Sequence, residues 1–214
     1  MEYLEFERIL SAKRMQRYKD ATCGDTRKAM ALYRYNLRLS QEMFTIVSCF
    51  EVALRNAIDS LLVPTLGRDW LKDSVQDDGM FSNGRMNETR KIIEKAYNRL
   101  NRQGIYSHSK LIAEMEFGVW KYMYSSLQYR ATGQCLLRAF PNKPRSSVGA
   151  QYNNTYIFNE LDKVNSLRNR IAHHEPICFR LHASEIDTSY IVNEYQKIQT
   201  LFSWMGIDSQ IGRA

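Results

Sequence analysis

The sequence predicts an all-α fold, a bundle of about seven helices, on three observations. Apolar residues recur at intervals of three and four along most of the chain, the period of a helix with one buried face. The 214 residues contain only ten glycines and four prolines, too few breaks for a protein of many short strands. Hydrophobic residues make up 44% and charged residues 25%, which argues against disorder and supplies material for a real core.

A first helix is expected from Leu4 to Lys19, ended by the stretch Ala21–Asp25. Asp25 or Thr26 then caps a second, carrying Ala29, Leu32, Tyr33 and Leu37, because a short oxygen side chain satisfies free N–H groups at a helix start. Ser40 is expected to cap a third and central helix, with Met43, Phe44, Val47, Phe50, Leu54, Ile58, Leu61 and Leu62 at helical spacing. Pro64 and Gly67 end it. Residues 67–84 read as a loop or short irregular insert, with turn signals at Asp77-Asp78-Gly79 and Ser82-Asn83-Gly84. Helices follow from Asn87 towards Leu100, and from Ser107 or Ser109 through Leu111, Met115, Val119 and Tyr122 to Leu127. Residues 141–145, with two prolines, form a basic break. Two helices close the chain, one from about Asn154 to His173 and one from about Ser184 to Met205.

The net charge is +7 and the pI about 9.2, so a polyanion such as nucleic acid is a reasonable partner, although the cations are not gathered into one block. No run approaches the roughly 20 apolar residues of a membrane span, and Met1–Asp20 has no apolar signal region, so the expected location is cytoplasmic, with no membrane partner. Cys23, Cys49, Cys135 and Cys178 form no C-x-x-C pair, which disfavours a zinc knuckle, and nothing suggests a disulfide framework. Cys49, inside an apolar run, reads as a buried thiol. The acidic pairs Asp77-Asp78 and Glu114-x-Glu116 make no convincing metal site, and there is no Gly-rich phosphate loop, HExxH or serine elbow. No cofactor and no metal are called for.

The candidate chemistry lies in Arg168-Asn169-Arg170-Ile171-Ala172-His173, near the end of a helix. Asn169 and His173 are four apart and share a face. Arg168 lies about 140° from His173 around the wheel, at roughly 100° per residue, but its side chain is long enough to swing back. Histidine changes charge near neutral pH and can take the proton from an RNA 2′-hydroxyl. Arginine presents a planar fork of donors to the charge gathering on the phosphoryl oxygens. By spacing alone the simpler account is structural, since cations at a helix end favour the dipole and bind the last carbonyls. A second constellation is Glu51-x-x-x-Arg55-Asn56 in the most apolar helix, either a structural ion pair or a support for the first site. Phe117, Trp120, Tyr122 and Tyr124 offer stacking surfaces for RNA bases, but their helical spacing fits core packing better.

The stretch Leu167–Ile177, reading LRNRIAHHEPI, resembles the signature of the Abi-like proteins, bacterial abortive-infection proteins of the AbiD/AbiF type within the HEPN superfamily. Tyr33-x-Tyr35-Asn36, the run Glu51–Ile58, the run Glu116–Trp120 and Arg138-Ala139-Phe140-Pro141 match the same family in the same order. The resemblance implies a HEPN-type helical bundle with additional helices, spanning 1–214 as a single domain, with a helical extension at about 1–39 and a core at about 40–206. It implies a metal-independent endoribonuclease acting as an antiphage effector or toxin. Two copies of an Arg-polar-x-x-x-His motif face each other across a homodimer, a patch that a two-fold axis naturally duplicates. Carried onto this chain, His173 is the acid/base residue, Arg168 stabilises charge, and Asn169 orients His173 or binds RNA. Glu51, Arg55, Asn56 and His174 are supporting. Arg170 and His174 form a rival pair, but Ile171 after Arg170 is not polar and misses the pattern. RNA is the implied substrate, and a small protein or structured non-coding RNA the implied antitoxin. The alternative is a catalytically silent RNA-binding or protein-interaction module in a defence system.

Overall fold

The computed structural model describes residues 2–82, 84–180 and 183–208; Asn83 of the expected Ser82-Asn83-Gly84 turn lies outside them. Among these residues there are ten α-helices, two 3₁₀ turns and no strand, apart from one isolated antiparallel bridge between Phe179 and Ile186. The all-α expectation holds; the count of about seven is too low. No helix among them is long and apolar enough to cross a membrane.

The extra helices have identifiable causes. The first expected helix is two, α1 (Tyr3–Leu10) and α2 (Ala12–Ala21), because Ser11 sits at φ 78° and its hydroxyl accepts from the Arg14 N–H as a new cap. The second and third are one 41-residue helix, α3 (Thr26–Leu66). Ser40 does not start a helix: no Gly or Pro interrupts the ladder between Thr26 and Pro64, and the buried stripe of Ala29, Tyr33, Asn36, Met43, Val47, Phe50, Leu54, Ile58 and Leu62 runs straight through. Asp25 begins α3, its carboxylate accepting from the Lys28 N–H at 3.0 Å. Pro64 falls inside the last turn, and Gly67 at φ 89° ends the chain's longest run.

The segment after Gly67 is packed rather than loose. It holds α4 (Trp70–Asp73), and Trp70, Leu71, Val75 and Phe81 are buried. A Cβ on Gly79 would stand 2.4 Å from the Ser74 carbonyl oxygen, so only glycine fits there. Then come α5 (Asn87–Arg102), α6 (His108–Glu114), α7 (Phe117–Tyr122) and α8 (Ser126–Ala131), with 3₁₀ turns at Gly84–Met86 and Leu136–Ala139. Ser107 caps α6 through the Lys110 N–H. The single helix expected from 107 to 127 is thus broken into three, at Met115-Glu116 in extended backbone and at Ser125. Finally α9 spans Asn154–Ala172 and α10 spans Ser189–Trp204.

The chain divides into two compact units: Met1–Ser48 with Ser166–Ile198, and Cys49–Asn165 with Gln199–Ala214. In the first, Met15, Tyr18, Ala29, Tyr33, Cys178 and Phe179 form a core cluster. Tyr33 meets Phe6 and Tyr18 edge-on, with centroids 5.5 and 5.2 Å away. In the second, Phe50 packs on Phe117 and Phe202, and Tyr124 on Phe140. Phe117, Trp120 and Tyr124 are fully buried, so they are core; only Tyr122 of the aromatic run keeps an open face.

Candidate active site at the end of α9

The end of α9 is built by a left-handed cap. The His174 N–H donates to the Ile171 carbonyl at 2.9 Å and the Glu175 N–H to the Arg170 carbonyl at 2.8 Å, with His174 at φ 55°. This paired arrangement commonly carries glycine at the turning residue. Here a histidine occupies it, in a conformation that costs an L-residue roughly 1 kcal/mol. Three separate contacts hold it. Arg14 of α2 donates to the His174 carbonyl at 2.8 Å. Arg17 donates to the carbonyls of Arg180, at 2.9 Å, and Ala183, at 3.0 Å, and its guanidinium lies 4.6 Å from the Phe179 ring centroid. The buried Asn36 side chain of α3 accepts from the N–H groups of Ile177 at 2.8 Å and Cys178 at 3.2 Å. That gives Tyr33-x-Tyr35-Asn36 a physical role: Tyr33 fills the core and Asn36 fixes the chain just beyond the motif.

Beyond Pro176 the chain turns back on itself. The Asp187 N–H donates to the Cys178 carbonyl at 3.0 Å and the Arg180 N–H to the Glu185 carbonyl at 3.0 Å. The Asp187 carboxylate takes the Ser189 N–H at 2.8 Å and pairs with Arg180 at 3.6 Å. Hydrogen bonds from Ser189, followed by Arg180, hold its carboxyl below the usual range. Burial pushes the Cys178 thiol up to about 11. Cys49 is half-buried rather than buried, Cys23 is exposed, and all four cysteines are free.

On this platform the motif residues divide sharply. Arg170 is consumed by structure: its side chain is 16% exposed, donates to the Pro176 carbonyl at 2.7 Å, pairs with Glu175 at 3.4 Å, and lies 5.1 Å from the Tyr190 ring centroid. Its Nη1 is buried with no hydrogen-bond partner, and the Tyr190 π-face adds to the Glu175 carboxylate in compensating the charge. By contrast, the side chains of Arg168, Asn169 and His173 make no hydrogen bond or ion pair with the described residues. Asn169 and His173 are exposed, and Arg168 is half-buried. The His173 N–H donates to the Asn169 carbonyl at 2.9 Å, so the two residues stand one helical turn apart. The last turns of α9 therefore carry an imidazole, an amide and a guanidinium that have no polar partner among the described residues.

Glu51, Arg55 and Asn56 lie in the part of α3 that belongs to the second unit. Glu51 and Arg55 are half-buried and Asn56 is exposed. The Arg55 Nε is buried with no hydrogen-bond partner. Asp77 pairs with Arg90 at 3.6 Å, and Glu114 with Arg99. Sequence reasoning missed Arg14, Arg17 and Asn36 as anchors of the motif. Asn36 had a signal, a polar residue inside an apolar stripe; the two arginines look like any charged helix face and had none.

No curated protein and no solved structure matches the chain. The family model described as Abi-like protein matches residues 3–178, a span that takes in the Asn36 anchor, the whole Arg168–His173 motif and its cap; the chain belongs to the Abi-like protein family.

Proposed function

We propose that this protein is a metal-independent endoribonuclease of the HEPN superfamily, of the AbiD/AbiF type. It works as a homodimer in which two copies of Arg168, Asn169 and His173 form one cleft. The domain is single, with residues 1–39 as a helical extension on a 40–206 core. Membership in the Abi-like family supports abortive infection as the setting, with host or phage RNA as the substrate and a cognate inhibitor, a small protein or structured RNA, as restraint.

The observation that carries the proposal is the contrast within the motif. The three side chains whose types suit phosphodiester cleavage are uncommitted, while the intervening Arg170 is held by Pro176, Glu175 and Tyr190. A fixed backbone with free functional groups is the preorganised arrangement that catalysis needs. In the reaction, His173 of one protomer removes the 2′-hydroxyl proton and the 2′-oxygen bonds to phosphorus. The bond to the 5′-oxygen breaks, and that oxygen takes a proton from the second His173. Arg168 neutralises the developing phosphoryl charge, and Asn169 orients the imidazole or the RNA.

The test is product chemistry. Purified protein incubated with total RNA in EDTA should leave 2′,3′-cyclic phosphate and 5′-hydroxyl ends, and a 2′-deoxy residue at the cut site should abolish cleavage there. Cutting that survives 2′-deoxy substitution, or that stops in EDTA, overturns the mechanism. RNA bound but uncut would point to the silent module. A monomer in sedimentation would overturn the composite cleft.

A further inference from the structure

A cavity of about 810 Å³ opens between α5 and the α6–α7 junction, wholly within the second unit and apart from the motif. Its apolar lining includes Ile92 and Ala96 on α5, and Met115, Gly118, Val119 and Tyr122 on the other wall. Ile92 is 48% and Tyr122 46% exposed, so two large apolar side chains meet water in one concavity. The groove is elongated. Its α5 wall and the 3₁₀ turn before it contribute lining residues from Arg85 to Arg102, roughly 25 Å at about 1.5 Å per residue.

Gly118 adds an independent observation. It lies inside α7, where glycine weakens a helix relative to alanine, yet a Cβ there would meet nothing within 4 Å. The packing of this chain does not demand a glycine. What the missing side chain does is keep that wall open, in a groove whose α5 wall also holds the small Ala96. Small residues on both walls let another backbone come close.

Charge fixes the polarity of the occupant. From Lys95 to Arg102, α5 carries Lys95, Arg99 and Arg102 on the groove side and no acid. Cations in a last helical turn favour the dipole, which accounts for Arg99 and Arg102 but not for Lys95. Arg99 is already paired with Glu114, and Glu88 with Lys91 at 3.3 Å. Lys95 and Arg102 have no acidic partner among the described residues, against one unpaired acid in the wall, Glu116.

We propose that the α5–α7 groove docks an amphipathic helix of a separate protein, apolar on the face that enters and acidic where it passes Lys95 and Arg102. Length favours a helix over a compact small molecule, and helix-in-groove recognition uses anchors at i, i+3, i+4 and i+7 that match the apolar floor. The apolar floor of Ile92, Val119 and Tyr122 disfavours a nucleic-acid strand, whose affinity comes from cations ranged along its phosphates.

The test uses the full chain and a fluorescent 16-residue helical peptide, with leucines at i, i+3, i+4 and i+7 and glutamates flanking them. Anisotropy should report saturable binding, and a scrambled peptide of the same composition should bind at least tenfold more weakly. Gly118→Leu fills the groove and should weaken binding at least tenfold, while Gly118→Ala should leave the melting temperature unchanged or higher. Lys95→Glu should weaken the acidic peptide and favour a version with lysines in place of the glutamates. Equal binding of the scrambled peptide, unchanged binding by a folded Gly118→Leu variant, or displacement of the peptide by a single-stranded RNA oligomer each overturn the proposal. No readout depends on RNA cleavage, so the groove and the ribonuclease stand or fall separately.

Discussion

Arg168 and Arg170 are two residues apart on the last turns of α9, and the molecule uses them in opposite ways. Arg170 points into a set of partners, a carbonyl, a carboxylate and an aromatic face, and is mostly buried. Arg168 stands with Asn169 and His173 and makes no polar contact with the described residues. The difference teaches that composition of a motif does not tell function from scaffold; commitment does. A guanidinium enclosed by its own carbonyl, carboxylate and ring holds the backbone, and one left open can meet a phosphate.

The comparison breaks most visibly in kinetics. Arg168→Ala and His173→Ala should each lower RNA cleavage by roughly 10²–10⁴-fold, the usual worth of a general acid–base or charge-stabilising group, with thermal midpoints close to wild type. Arg170→Ala should instead cost about 2 kcal/mol of stability, read by urea denaturation. A folded, full-stability Arg170→Ala protein that cuts no RNA would reverse the assignment.

Asn36→Ala sharpens the contrast from the scaffold side. It leaves the buried N–H groups of Ile177 and Cys178 without their acceptor, at an expected cost of about 2–4 kcal/mol. Amide exchange at Ile177 and Cys178 should accelerate ahead of the rest of the unit; protection retained there would show that Asn36 is not the anchor.

His174→Gly is a smaller and opposite effect. Glycine adopts the left-handed conformation freely, so the variant should gain about 0.5–1 kcal/mol and keep its cleavage activity. Loss of cleavage with intact folding would move the catalytic histidine from 173 to 174.

The smallest effect is at low pH. Asp187 has a folded pKa below its unfolded value, so its contribution is fully present above about pH 4 and is lost as pH falls through the lower folded value. Wild type and Asp187→Asn should differ in melting temperature at pH 7 and converge once the pH has fallen through the lowered folded value. A gap that persists in acid would mean that the carboxylate charge is not what ties Asp187 to Ser189 and Arg180.

Much of the fold was legible because helical spacing survives in isolation. The ends of α5 and α9 were readable to within a few residues, and so was most of the α3 stripe, although Leu37 and Phe44, expected in it, are exposed. What escaped was interruption without glycine or proline. Ser11 breaks a helix through its own φ, and Met115-Glu116 breaks another in extended backbone, where local sequence gives no warning. Ser40 misled in the other direction, as a good capping residue in the interior of a continuous helix. Residues 67–84 looked loose because turn signals outnumber apolar residues, yet Trp70 and Phe81 are buried. At the candidate site, spacing alone reads as a helix-end cluster and the family resemblance is what singles out Arg168, Asn169 and His173; that they have no polar partner among the described residues is a tertiary fact. Arg14 and Arg17 act on carbonyls about 160 residues away, a relation no local pattern encodes.

That separation governs how the protein is made. A ribosome delivers α2 well before the carbonyls of His174, Arg180 and Ala183, so its arginines wait about 160 residues for their acceptors. The cap of α9 thus becomes ordered only after the residues beyond Pro176 have joined α2. Until then the Arg168–His173 helix end lacks the hydrogen bonds that fix it, however complete the rest of α9 is.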